Sequence, residues 1–417
     1  MKKKKTKKDI FINRVKHSKS FIIMMALSAV LLSISTYAWF VGMKTVYVSS
    51  FDVEIASTDS LLLSLDGENW SETVNISKAN YATTYEGNTN SWGGAGLIPM
   101  SSTGELNSST SRLKMYEKTS LTATSGGYRI MSNLVNNGTS EADGYVAFDL
   151  FVKNSSGSQY ISDHNSLDEE AVYLTEDSEV TVAGYNADGT PIAGEDLPEG
   201  YEKGVLESGI ENSVRVAFSQ IGRVNASTKV VSTITGITCN SNADVTGICR
   251  TDKIWEPNDT KHVTNAIKWY NASCKKRINA DLTKSNSYEG DCQTLTEGVP
   301  YPTYAINDNI LSSDRVDIYD GAEFNTWATN SKVKKVDYFT DTMKLLDGVD
   351  RPTFMTLAPN SITKLRIYVY IEGQDIDNYD FAIVGKKIAV KFGFTKERFD
   401  PEDIDYDGPS LDEAMGK

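Results

Sequence analysis

Histidine is almost missing from this 417-residue chain: only His17, His164 and His262 occur, far apart in sequence. A His-based catalytic triad or an HExxH zinc site has nothing to be assembled from. No GxSxG elbow, P-loop or GxGxxG string is present either, so the familiar nucleophile and nucleotide sites lack a motif. Cysteine is sparse as well, with four residues, Cys239, Cys249, Cys274 and Cys292, and no CxxC pair, which argues against zinc. An even, clustered set fits two disulfides formed in an oxidising compartment. Pairing Cys239 with Cys249 and Cys274 with Cys292 is the most economical of three connectivities. Charge is wholly absent from Phe21 to Gly42, FIIMMALSAVLLSISTYAWFVG, a run long enough to cross a bilayer.

Positive charge is concentrated at one end. The first twenty residues carry nine Lys or Arg against Asp9, a net +8, so with −14 overall the remaining 397 residues carry −22. An acidic body repels phosphate backbones, which excludes nucleic acid as its partner. The basic flank instead stays cytoplasmic by the positive-inside rule, placing everything after Gly42 outside the membrane. Thr36 and Ala38 supply small residues at the −3 and −1 positions of a signal-peptidase site, with the cut between Ala38 and Trp39. Uncut, residues 21–42 are a membrane anchor. The expected organisation is a basic leader (1–20), a signal peptide or anchor (21–42), an ectodomain (43–396) and a loose acidic tail (397–417).

Within the ectodomain, period-two apolar alternation recurs between turn clusters, the pattern of half-buried antiparallel strands. It is clear at Phe51, Val53 and Ile55, at Leu61, Leu63 and Leu65, and at Val214, Val216 and Phe218. It is cleanest at Leu365, Ile367, Val369 and Ile371 and at Ile388, Val390, Phe392 and Phe394. The segment Tyr145–Asn154 is apolar on both alternating faces, so it is expected to be covered on both. Residues 101–111 and 136–144 read as surface loops. Residues 235–302, which hold every cysteine, read as an insertion, with Val263, Ala266, Ile267, Tyr270 and Cys274 at helical spacing. The fold class expected is all-β: an antiparallel β-sandwich with loop insertions and one N-terminal apolar helix.

The string Ser35-Thr36-Tyr37-Ala38-Trp39-Phe40 resembles the leaders of the TasA and camelysin group of Gram-positive exported proteins, which are processed by a SipW-type signal peptidase. Val48–Ile55 is similar to that group's first mature strand. YVAFDLFVKN at 145–154, SVRVAF at 213–218 and LRIYVYIEGQDID at 365–377 look like strands of relatives with the same leader. The resemblance implies a jelly-roll-like sandwich at the cell surface or in an extracellular matrix, assembling in some members by strand donation. On this chain the donor residues would be Val46, Val48, Phe51, Val53 and Ile55. Greater length and the cysteine-bearing insertion depart from the family pattern.

Ligand-like strings are few. Asp403, Asp405 and Asp407 with Gly408 match positions 1, 3, 5 and 6 of a calcium loop, although Pro409 and Ala414 fall at positions 7 and 12. Asp375, Asp377 and Asp380 follow a strand directly and read as turn-forming acids. Trp255 and the pair Trp269-Tyr270 are candidate glycan platforms, although core packing is their commoner fate. The leading expectation is a non-enzymatic, exported structural or adhesive protein that self-assembles by strand donation. The alternatives are a surface glycan-binding module and, behind it, a secreted hydrolase.

Overall fold

The computed structural model describes residues 52–57, 61–107, 109–123, 127–136, 138, 140–157, 159–162, 169–186, 188–192, 204, 206–250, 253–270, 295–301, 303–311, 332–336, 338–346, 350–379 and 388–396. The chain divides into a unit at Met1–Thr45 and a second at Val46–Lys417, and every described residue belongs to the second. The expectations for residues 1–42, for Ala38 and Trp39, for Val46, Val48 and Phe51, for Cys274 and Cys292, and for Asp403, Asp405 and Asp407 therefore lie outside the described residues. No helix among the described residues is long and apolar enough to cross a membrane.

Two sheets dominate, as the alternation predicts. The smaller contains β1 (Asp52–Ser57), β3 (Thr73–Ser77), β11 (Glu170–Leu174), β12 (Glu179–Val182), β19 (Met355–Leu357) and β21 (Ile388–Thr395), in the order β19-β11-β21-β1-β3 with β12 also on β21. The larger is built on three long strands, β10 (Val146–Asn154), β13 (Val214–Asn225) and β20 (Ser361–Glu372), with β20 between the other two. Around them lie β2 (Leu61–Ser64), β4 (Ser91–Trp92), β5 (Pro99–Ser101), β8 (Tyr116–Ala123), β9 (Gly127–Leu134), β14 (Thr246–Gly247), β15 (Lys253–Glu256) and β18 (Phe339–Thr340). Two ribbons stand apart, β6 (Leu106–Asn107) with β7 (Arg112–Leu113) and β16 (Tyr304–Ile306) with β17 (Val333–Lys335). Most pairings are antiparallel; β1–β21, β5–β20 and β15–β18 are parallel.

Register explains the core. Ile367 of β20 sits opposite Phe148 on one side and Phe218 on the other, so one row of three large apolar side chains faces inward. That face meets Phe392 and Phe394 of β21, whose rings lie 5.5 and 6.2 Å from that of Phe218. Val53 and Ile55 of β1 are fully buried in the same cluster. Burying each such side chain contributes roughly 1.5–3 kcal/mol, which makes this face the main source of cohesion.

The opposite face of the larger sheet departs from the simple sandwich. Alternation of Arg366, Tyr368, Tyr370 and Glu372 with apolar neighbours predicts a solvent face, yet every residue of β20 is buried. Loops supply the cover. Met100, Leu113, Met115 and Tyr338 pack on Tyr368 and Tyr370, while Ile234, Ile237 and Val245 pack on Phe151 and Ile362. Residues 101–111, expected as a surface loop, include β6 of the β6–β7 ribbon, and Ser101 and Ser102 are buried. Within the span 235–302, β14 and β15 both pair with β13. A bulge at Gln220/Gly222 lets β13 bend under this cover. A side chain at Gly222 would come within 2.8 Å of the Thr238 and Thr246 carbonyl oxygens, so only glycine permits the approach.

Candidate functional site

Covering a charged sheet face forces its charges to find partners, because an unpaired buried ion costs several kcal/mol. Arg215 shows how this is done. It lies on the outer face of β13 opposite Tyr370, and β20 ends close by at Glu372, where the chain turns and brings Asp375 and Asp377 back across the strand ends. The Arg215 guanidinium is fully buried and donates to Asp375 Oδ2 at 2.6 Å and to Glu256 Oε1 of β15. It also donates to the carbonyls of Asn212 (3.2 Å) and Val214 (3.0 Å), and it stacks 4.9 Å from the Tyr338 ring centroid. Glu372 accepts from Ser101 Oγ at 3.1 Å and from the Tyr338 hydroxyl at 3.3 Å.

These carboxyls are not equivalent. Burial pushes Glu256 up to about 7 against the opposing pull of Arg215, and burial pushes Glu372 to about 7 for the same reason. Arg215 is held well above its usual value, since the surrounding carboxylates outweigh its loss of water.

A second group adjoins the first. His262 places Nδ1 2.8 Å from Asp377 Oδ2 and Nε2 2.9 Å from the Val299 carbonyl, and Asp377 also accepts from the backbone N–H of Val263 at 3.1 Å. Burial opposes a charged imidazole here, but the bond to Asp377 and its negative charge prevail and raise His262 to about 9. The result is an imidazolium with both N–H groups engaged, unsuited to abstracting a proton at neutral pH. Between the two groups lies a small cavity lined by Glu256, Asp259, His262, Asp375 and Asp377, with room for a water molecule. Among the described residues no group of three or more His, Cys, Asp or Glu is placed to hold a metal ion. Chemically the arrangement is a lock: it ties β13, β15, the end of β20, Val299 and Thr303 together.

The sequence-derived candidates fall in varied places. Asp375 and Asp377 lie in the turn after β20, as expected, with Asp375 Oδ1 accepting from the Asp377 N–H at 2.8 Å, and both also belong to this network, Asp377 buried and Asp375 half-buried. Cys239 and Cys249 form a disulfide, the first of the two pairings expected. Val53 and Ile55 lie inside their own chain's sheet, between β21 and β3. Trp255 takes the packing fate expected as the commoner one and is no glycan platform: it is fully buried, and its indole N–H donates to Asp341 Oδ1 at 2.9 Å. Tyr270 is buried as well, its hydroxyl bonded to that of Tyr301 at 2.8 Å, and Trp269 is half-buried. Arg215, Glu256 and His262 were not marked by any motif; the only available signal was an arginine set at an alternating position of an otherwise apolar strand.

Comparison with protein-family models, with curated proteins and with solved structures finds no match to this chain.

Proposed function

We propose that this is an exported, non-enzymatic structural or adhesive protein of the bacterial surface or extracellular matrix, with a jelly-roll-like ectodomain. The observation that carries the reading is the position of β1. This strand, at Asp52–Ser57, follows the apolar segment 21–42 closely in sequence and lies inside a sheet, parallel to β21 and antiparallel to β3. A fold whose first described strand follows the apolar segment so soon in sequence suits a body displayed at a surface, whether residues 21–42 remain as the anchor or a SipW-type signal peptidase removes them. The Cys239–Cys249 bond suits an oxidising exterior. Self-assembly, on this reading, is an exchange in which one subunit's β1 fills the slot of the next, backbone pairing giving affinity and Val53 and Ile55 specificity.

Two measurements test the proposal. Fractionation of the native envelope followed by N-terminal sequencing is expected to recover the protein outside the cell, beginning at Met1 if anchored or Trp39 if cleaved. Recovery from the cytosol defeats the proposal. Deleting residues 39–48 is expected to abolish ordered assemblies seen by electron microscopy, and unchanged assemblies reject strand exchange.

A further inference from the structure

Where β10 ends, three side chains from different strands meet. Asn154 is the last residue of β10 in the larger sheet, Glu170 is the first of β11 in the smaller, and Lys396 follows β21 directly. Antiparallel pairing of Tyr173 with Thr395 brings the start of β11 alongside the end of β21. Asn154 is wholly buried, and the Lys396 side chain is 12% exposed against 36% for Glu170. Lys396 Nζ lies 3.2 Å from Asn154 Oδ1 and 3.4 Å from Glu170 Oε2. Asn154 Nδ2 donates to the same Oε2 at 2.5 Å and to the Ala358 carbonyl at 3.1 Å, which fixes the orientation of the amide. Its Oδ1 accepts from the Ser156 N–H at 3.2 Å and from the Ser156 hydroxyl at 2.8 Å. An ion pair needs only the lysine and the glutamate. Here a buried carboxamide touches both, with donors on its oxygen and a carboxylate on its nitrogen.

We propose that Lys396 and Asn154 join through an intramolecular isopeptide bond, with Glu170 carrying the protons. An ammonium is no nucleophile until it loses a proton. Glu170 is placed to take it: burial opposes its ionisation, but hydrogen bonds from Ser156 and Asn154 and the charge of Lys396 hold it below the usual glutamate range. That transfer is uphill, which a reaction performed once per molecule by groups already in contact tolerates. The freed Nζ lone pair attacks Asn154 Cγ, the new C–N bond forms, and the carbonyl electrons move to Oδ1, where the Ser156 N–H and hydroxyl meet the charge. As the carbonyl re-forms, the Cγ–Nδ2 bond breaks. Of the three ammonium protons one stays on the new amide, and two pass through Glu170 to Nδ2, which leaves as ammonium. Net charge is unchanged, and no oxidant or cofactor is consumed. The bond ties β10 to the end of β21, the strand beside β1, across 242 positions of sequence. It forms within one chain and depends on neither export nor strand exchange.

Mass spectrometry of the full chain, purified in detergent, reduced and digested with trypsin, tests it. Residues 154–203 and 392–398 are expected to appear as one branched peptide, uncut at Lys396 and lighter than the two together by one ammonia, about 17 Da. Lys396→Arg keeps the charge but removes the nucleophile, and Glu170→Gln keeps the shape but removes the proton carrier. Each variant, folded by circular dichroism, is expected to give the two segments as separate peptides. The proposal fails if the parent gives them separately, whether unmodified or with the ammonia loss confined to a succinimide at Asn154-Ser155. It also fails if Glu170→Gln joins them as readily as the parent does.

Discussion

Arg215 has no water to fall back on, so its two carboxylate partners, two carbonyls and the Tyr338 ring must together replace hydration. Removing one member of such a set leaves the others charged and unpaired, which is costlier than removing the whole set. Arg215→Met is therefore expected to destabilise the protein by about 3–5 kcal/mol, measured by urea unfolding of the purified chain. Adding Glu256→Gln should restore part of the loss, because the orphaned carboxylate then disappears; a purely additive double variant would sink the idea of a coupled lock. None of this was legible in the sequence. Asp375 and Asp377 stand two residues apart just past a strand, which is how turn acids are written, and their partners Arg215 and His262 lie 160 and 115 positions away. Local pattern carries no signal of that distance. Trp255 was more legible: core packing is the commoner fate of such an aromatic, and the structure buries it.

Strands were the most legible feature. β10, β20 and β21 announce themselves by alternation, and the two-sided burial of β10 follows from Ala147 and Phe151 filling its second face. What alternation hides is a cover that arrives from elsewhere in the chain. The charged positions of β20 look solvated until the loops around residues 85–113 and 231–247 close over them. The hairpin of β8 and β9, rich in Thr, Ser, Lys and Arg, has too little apolar periodicity to stand out from loop sequence. Of the cover, the piece bounded by Cys239 and Cys249 depends most on a covalent tie, since it presses glycine backbones together at Gly222 and Gly247 with little apolar area of its own. Closing a loop of sequence separation 10 removes chain entropy worth about 2.5 kcal/mol from the unfolded state. Cys239→Ser with Cys249→Ser should therefore lower the unfolding free energy by about that amount. Amide exchange in that variant should quicken first at residues 236–248, and uniform quickening along the chain would contradict a local role.

For the whole molecule, burial of so many ionisable groups ties stability to pH, and the signs can be worked through group by group. Asp149 sits well below the usual carboxylate range: burial raises it, but Arg366 and Lys364 overcome that effect. Its contribution is present above the unfolded value near 3.8 and disappears as pH falls through its depressed folded value. Glu256 and Glu372, raised to about 7, act in the opposite sense. The folded state keeps their protons when the unfolded state has lost them, so their contribution is complete below about 4.5 and is lost as pH climbs through 7. His262, raised to about 9, behaves likewise over a higher window, contributing fully below about 6.5 and losing that contribution as pH rises through 9. These windows overlap only between 3.8 and 4.5, so the melting temperature should peak near the top of that interval and decline steadily toward pH 9. Glu256→Gln should flatten the fall between pH 5 and 7, where that carboxyl titrates, and leave the slope above pH 8 intact. His262→Gln should do the reverse. Calorimetric scans of the parent and the two variants from pH 4 to 9 separate the contributions, and a parent that grows more stable from pH 6 to 9 would show that the buried acids and His262 are not protonated as their surroundings require.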